Sequence, residues 1–227
     1  MITLCNLACG VLSVLAAIGY GYQRQAALLI CMGILFDFFD GMTARLLGVS
    51  SPIGKELDSL ADVVTSGVAP AAILFDISHL PLFDSGSLWM IAAYLLIPLF
   101  AAYRLAKFNL DTRQSHSFLG LPVPSQALVW VGLALSHYVV VDSLWPVVAI
   151  VVLSLVLDVL MVSELPLFSL KFNFKDLSWK TNSVQYIFLI VCAVIIALLR
   201  DWIAISAIIL WYIILSSLVK SKMKNEK

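Results

Sequence analysis

The chain is predicted to fold as an all-α, polytopic transmembrane helical bundle, and three observations predict it. Of its 227 residues, 62% are hydrophobic and 12% charged, where soluble domains run close to half apolar and about a quarter charged. The apolar residues fall into runs near the ~20 residues that a helix needs to cross a bilayer. The basic residues crowd into alternate gaps between those runs, as the positive-inside rule requires. Together with a mean hydropathy of +1.01, these features exclude a soluble globular enzyme, a disordered chain and a nucleic-acid-binding module. The 14 Lys and Arg balance the 14 Asp and Glu. Net charge therefore points to no polyanionic partner, and no nucleic acid is expected.

Eight spans are expected, at about 3–20, 25–47, 57–77, 88–108, 123–141, 144–163, 183–199 and 202–219. The first lacks a basic n-region, so it reads as a membrane span and not as a signal peptide. Polar or Gly- and Pro-containing breaks separate the spans: Gly21 to Arg24, Gly48 to Glu56, Ser78 to Ser87, Asn109 to Pro124 and Lys171 to Asn182. With both termini in the cytoplasm, Arg45, Lys55, Arg104, Lys107, Arg113, Lys171, Lys175, Lys180, Lys220, Lys222, Lys224 and Lys227 fall inside. Only Arg24 and Arg200 fall outside. Trp89, Trp145, Trp179 and Trp202 lie near expected span ends, where interfacial aromatics belong. The reading is one domain over 1–227, with a core to about 165 and a further helix pair at about 183–219. Cys5, Cys9, Cys31 and Cys192 form no C-x-x-C pair and read as small packing residues.

Acids interrupt the second and third spans. Asp37 and Asp40 are three apart and Asp58 and Asp62 four apart, so each pair shares one helix face. A short loop makes the two helices antiparallel neighbours, and both faces can meet just inside the cytoplasmic surface. An Asp at mid-membrane costs about 2.5–3.5 kcal/mol, and converging carboxylates also repel. Arg45 and Lys55 are too few to neutralise them. Divalent ions would, and all-carboxylate ligation suits Mg²⁺, Mn²⁺ or Ca²⁺. Four Asp can hold two metals, the arrangement that clamps the attacking and leaving oxygens in phosphoryl-type transfer. Gly41, Ala44 and Gly54 leave a groove bare of side chains beside the acids, and Arg45 stands at its mouth, suited to a nucleotide or phosphate. Intramembrane acids also serve cation-coupled transporters. Those tend to place them at the midplane of two repeated halves, and no repeat is visible here.

The residues Asp37, Asp40, Gly41, Ala44, Arg45, Gly54, Asp58 and Asp62 form D-x-x-D-G-x-x-A-R, eight residues, then G-x-x-x-D-x-x-x-D. This resembles the signature of the CDP-alcohol phosphotransferases, without departure in identity or spacing. Residues 2–10, 59–71, 104–109 and 120–124 are similar to the phosphatidylserine synthase branch, so the resemblance covers about 2–130. There are two departures. The chain opens almost on the first span, where the family usually has a short amphipathic segment. Lys107 stands where the branch more often has Arg.

The resemblance implies transfer of a phosphatidyl group from CDP-diacylglycerol to L-serine with release of CMP, by a membrane-embedded homodimer using two Mg²⁺ or Mn²⁺ ions. Serine and CMP would exchange with the cytosol, from an active site on the cytoplasmic side of the plasma membrane. The resemblance casts Asp62 as general base and sharer of the second ion, with Asp37, Asp40 and Asp58 as metal ligands. Gly41, Arg45 and Ser51 would line the cytidine or ribose site, and Asn6 is a candidate for the pyrophosphate. A lone Asn in an apolar helix also serves as a helix–helix hydrogen bond. Arg104, Lys107 and Asn109 are candidates for the serine site, against the simpler reading of the two cations as positive-inside anchors. Glycerol 3-phosphate or inositol phosphate as acceptor would demand a stronger basic cluster. His79, His116 and His137 show no partner pattern.

Overall fold

The structure is a computed structural model, and it describes residues 2–48, 51–78, 88–110, 120–137, 143–165, 167 and 179–225. Within these it is an all-α bundle. Its helices are α1 (Ile2–Gly19), α2 (Gln23–Leu47), α3 (Pro52–Ile77), α4 (Leu88–Leu110), α5 (Val123–Leu135), α6 (Leu144–Val162), α7 (Trp179–Leu199) and α8 (Ile203–Asn225). Among the described residues, six helices are long and apolar enough to cross a membrane: α1 to α4, α6, and α7 over Asn182–Leu199. Two shorter apolar helices, Val123–Leu135 and Ile203–Leu218, complete the bundle.

Local chemistry sets the boundaries that matter for the site. Gly48 ends α2 in the left-handed conformation, at φ 61°, where a residue without Cβ is least strained. Ser51 then caps α3, its Oγ accepting from the Gly54 amide at 3.0 Å, and Pro52 supplies a preset φ in the first turn. The helix therefore begins five residues before the span expected at 57–77. The expected span 123–141 differs as well. Its helix stops at Leu135 because Ser136 turns extended and the Asp201 carboxylate takes the His137 amide at 3.0 Å. Residues 138–142 lie outside the described residues.

Among the described residues the bundle packs around two large apolar clusters and a smaller one. One large cluster joins α4, α5 and α6 around Trp130, Ile97, Leu157 and Met161. The other joins α1, α2, α3 and α5 around Ala17, Ile30, Ile73 and Val131. Large apolar side chains such as Leu12, Leu15, Leu99, Trp145 and Val159 remain exposed on the outer surface, which suits helices solvated by lipid tails. At the far end α8 fastens to α5, with Ser206 Oγ donating to the Val129 carbonyl at 2.6 Å. Helix α7 packs on α8 through Phe188, Cys192 and Leu215.

A close helix contact lies beneath the acids. Thr65, in a π-helical stretch of α3 (Val63–Val68), fits between two glycines of its neighbours. A Cβ on Gly10 of α1 would stand 2.5 Å from Thr65 Oγ1 and 2.9 Å from its backbone. A Cβ on Gly33 of α2 would stand 2.5 Å from Thr65 Cγ2 and 2.9 Å from Asn6 Oδ1. Small residues at such crossings let membrane helices approach closely. Gly10→Ala is expected to push α1 from α3 and to destabilise the bundle by about 1–3 kcal/mol, the usual cost of overpacking. A lowered thermal melting temperature in detergent is the check.

Candidate active site

Four carboxylates converge where α2 ends and α3 begins. Asp37 and Asp40 lie in the last turns of α2, and Asp58 and Asp62 in the first turns of α3. The side chains of Asp37 and Asp58 reach each other within hydrogen-bonding distance. Asp40 is near enough to Asp58, and Asp62 to both Asp37 and Asp58, for their charges to interact. Asp62 is the most enclosed, at 8% exposure, and the other three are half-buried. Among the described residues no group of three or more Asp, Glu, His or Cys side chains is placed closely enough to hold a metal ion as it stands. The helices gather the acids without clamping them.

Each side of this cluster has a partner on another helix. Asn6 of α1 is fully buried and donates Nδ2 to Asp62 Oδ1 at 3.1 Å. Thr3, one turn earlier, donates Oγ1 to Asp40 Oδ2. From α4, Arg104 comes near Asp62 and is only 7% exposed. Its guanidinium lies over the Phe108 ring at 5.1 Å, and its Nη2 is buried with no hydrogen-bond partner among the described residues. A buried guanidinium nitrogen left open is costly unless something fills its site. An incoming carboxylate is the natural complement, because it accepts from the guanidinium fork.

The other expected residues occupy several settings. Arg45 and Ala44 are exposed at the end of α2, and Gly41 lies beneath the Arg45 side chain, whose Nη2 is 3.6 Å from where a Cβ would be. Ser51 serves as the cap of α3. Gly54 permits that cap, since a Cβ there would stand 2.9 Å from Ser51 Oγ. Lys107 reaches to the Val162 carbonyl at the end of α6, at 3.5 Å. Asn109 donates to Ser59 Oγ at 2.9 Å, and its carbonyl accepts from Lys55 Nζ at 3.2 Å. The structure thus brings Asn6 and Arg104 to the acids, while Lys107 and Asn109 brace the rim.

Sequence reasoning missed Thr3, Ser59 and Thr65. The three-residue spacings Thr3–Asn6 and Asp62–Thr65 were the available signal, since each pair shares a helix face. It also passed over a second buried acid. Asp158 of α6 accepts from Gln126 Nε2 of α5 at 2.7 Å, and both are at most 1% exposed. That pair lies outside the carboxylate cluster.

The donor set at the cluster is made of oxygens alone, with two carboxylates in mutual contact. Such a set suits hard divalent ions better than soft ones, and among the described residues Arg104 is the cation that comes near Asp62.

Residues 1–159 match the family described as CDP-alcohol phosphatidyltransferase. The chain belongs to that family. Among its relatives, the CDP-diacylglycerol–serine O-phosphatidyltransferase of Bacillus subtilis is 36% identical over 137 residues, 60% of this chain and 75% of the relative. The enzyme of the same name from Saccharomyces cerevisiae is 42% identical over 122 residues, covering 50% of this chain and 42% of the relative. The archaetidylserine synthase of Methanothermobacter thermautotrophicus is 33% identical over 130 residues, 56% and 53%. The chain therefore spans three quarters of the first of these and about half of the other two.

A divalent ion that binds the folded cluster should stabilise it by mass action, by about 2.7 kcal/mol at 100 times its Kd. Melting in detergent should shift upward with Mn²⁺. Asp58→Asn should lose that shift, yet melt higher than the parent chain in EDTA, because it removes one of two repelling charges.

Proposed function

We propose that the protein is a CDP-diacylglycerol–serine O-phosphatidyltransferase, a multi-pass enzyme of the cell membrane whose site opens to the cytoplasm. The observation that carries this reading is the meeting of four signature carboxylates with a buried, half-open guanidinium. The first group suits a pyrophosphate and its metals, and the second suits a small acceptor bearing a carboxylate. The relatives named above support serine as that acceptor. The crowding of basic residues around the gap between α2 and α3, the end of α4 and the last residues of the chain supports the orientation. The family resemblance supports two copies per functional unit.

The chemistry follows from the side chains. Asp37, Asp40, Asp58 and Asp62 would hold two Mg²⁺ or Mn²⁺ ions, whose charge would offset that of the pyrophosphate and of the departing CMP. Asp62 takes the proton from the serine hydroxyl. The freed oxygen forms a bond to the phosphorus bearing the diacylglycerol group, and the bond from that phosphorus to the oxygen of CMP breaks. Arg104 Nη2 receives the serine carboxylate and so aims the hydroxyl toward Asp62. Lys107 adds positive charge at the rim, and Asn109 holds the end of α4 against α3. Gly41, Ala44 and Gly54 leave room for the nucleotide, and Arg45 and Ser51 flank its phosphate and ribose. Donor and product both keep their acyl chains in the bilayer, which explains why the site is built into a membrane bundle.

The test is CMP release from CDP-diacylglycerol with serine, glycerol 3-phosphate or inositol phosphate as acceptor. Serine alone should support release. Asp62→Asn should lower kcat by about 10²–10⁴-fold, the usual worth of a positioned base. Arg104→Met should raise the KM for serine by about 10-fold or more, as loss of a charged hydrogen bond does, and change the KM for CDP-diacylglycerol less. Release with glycerol 3-phosphate and none with serine would overturn the assignment.

A further inference from the structure

We propose that α1 is a positioning template for the carboxylate cluster. Thr3 fixes Asp40 of α2 and Asn6 fixes Asp62 of α3, so that one face of one helix sets the spacing of acids carried by two others. The inference rests on the function proposed above and adds to it a role for residues outside the signature.

The geometry is reciprocal. Thr3 and Asn6 are three apart, hence one above the other on α1. Each donates to a carboxylate of a different helix. Asn6 is itself gripped: Thr65 Oγ1, one turn beyond Asp62, donates to the Asn6 backbone carbonyl at 3.0 Å. So α3 touches Asn6 twice, once through Asp62 and once through Thr65. Gly10 and Gly33 exist as gaps into which Thr65 fits, and this fit sets how near α1 can come. The π-helical stretch that starts at Val63 places Thr65 in that gap, and such stretches recur at functional sites.

A carboxylate turns about its own bonds unless a donor holds one oxygen. Held at one oxygen, it presents the other in a fixed direction. Partners of this kind orient ligands and bases, and their loss typically weakens metal affinity or activity by about 10–100-fold. Asn6 engaged in this way orients Asp62, a role distinct from that of a pyrophosphate ligand. The two roles make opposite kinetic statements. A positioning Asn6 acts on kcat, whereas a pyrophosphate ligand acts on the KM for CDP-diacylglycerol.

The experiment uses the full chain in detergent, with Mn²⁺ alone titrated and followed by electron paramagnetic resonance, alongside steady-state CMP release and thermal melting. Thr3→Ala should weaken Mn²⁺ binding about 10–100-fold, and Thr3→Ser, which keeps the hydroxyl, should restore it. Asn6→Ala should lower kcat by a similar factor with both KM values unchanged. Unchanged Mn²⁺ affinity in Thr3→Ala would overturn the template, as would a raised KM for CDP-diacylglycerol with kcat intact in Asn6→Ala. If Asn6→Ala shows no melting transition, the near-isosteric Thr65→Val takes its place and is read by the same rule. Failure of the parent chain to release CMP with any alcohol would count against the proposed function, while the Mn²⁺ titration of the Thr3 variants would still decide the template.

Discussion

Asp37 and Asp58 lie within hydrogen-bonding reach of each other on two helices of a membrane bundle. Two ionised carboxylates at that distance repel strongly wherever water is scarce. Nearby positive charge relieves the repulsion, and Arg104 beside Asp62 supplies only part of it. Much of the surrounding architecture follows from this constraint. The acids sit where α2 ends and α3 begins, within a few turns of the connection between the two helices. They sit on rigid helices, so their approach is fixed by packing and not by a loop.

The helices divide the work. Helices α2 and α3 carry the charge, α1 carries the donors that orient it, and α4 carries the cation. Thr65 between Gly10 and Gly33 sets the distance among α1, α2 and α3. Gly120 and Leu121, just before α5, bond back to Leu165 and Leu160 around the end of α6 at 2.9 and 3.1 Å. With Lys107 on Val162, these contacts tie α4, α5 and α6 together at the same end of the bundle as the acids. Helices α7 and α8 lie beyond the matched residues 1–159, and α8 joins the rest through Ser206 and Gly132 of α5.

Much of this could be read from the sequence, for identifiable reasons. Composition and run length revealed the fold class because a membrane helix must satisfy its backbone internally and face lipid with apolar side chains. The four acids stood out because charge is rare in such runs. Boundaries were harder. Ser51 and Pro52 start α3 well before its apolar run, and α5 ends early through a bond between His137 and Asp201, 64 residues apart. The roles of Thr3, Asn6 and Thr65 depend on how α1 crosses α3, which no local pattern encodes. Lys107 and Asn109 looked alike as polar residues at the end of one span. The structure sends one to a carbonyl of α6 and the other to Ser59 of α3.

The central claim is that the cluster of Asp37, Asp40, Asp58 and Asp62 is a two-metal centre. Anomalous X-ray scattering from crystals of the protein grown with Mn²⁺ tests it most directly. Two peaks between α2 and α3, each within coordination distance of these carboxylates, are the expected result. Density for Mn²⁺ elsewhere, with none among the four acids at saturating metal, would contradict the account.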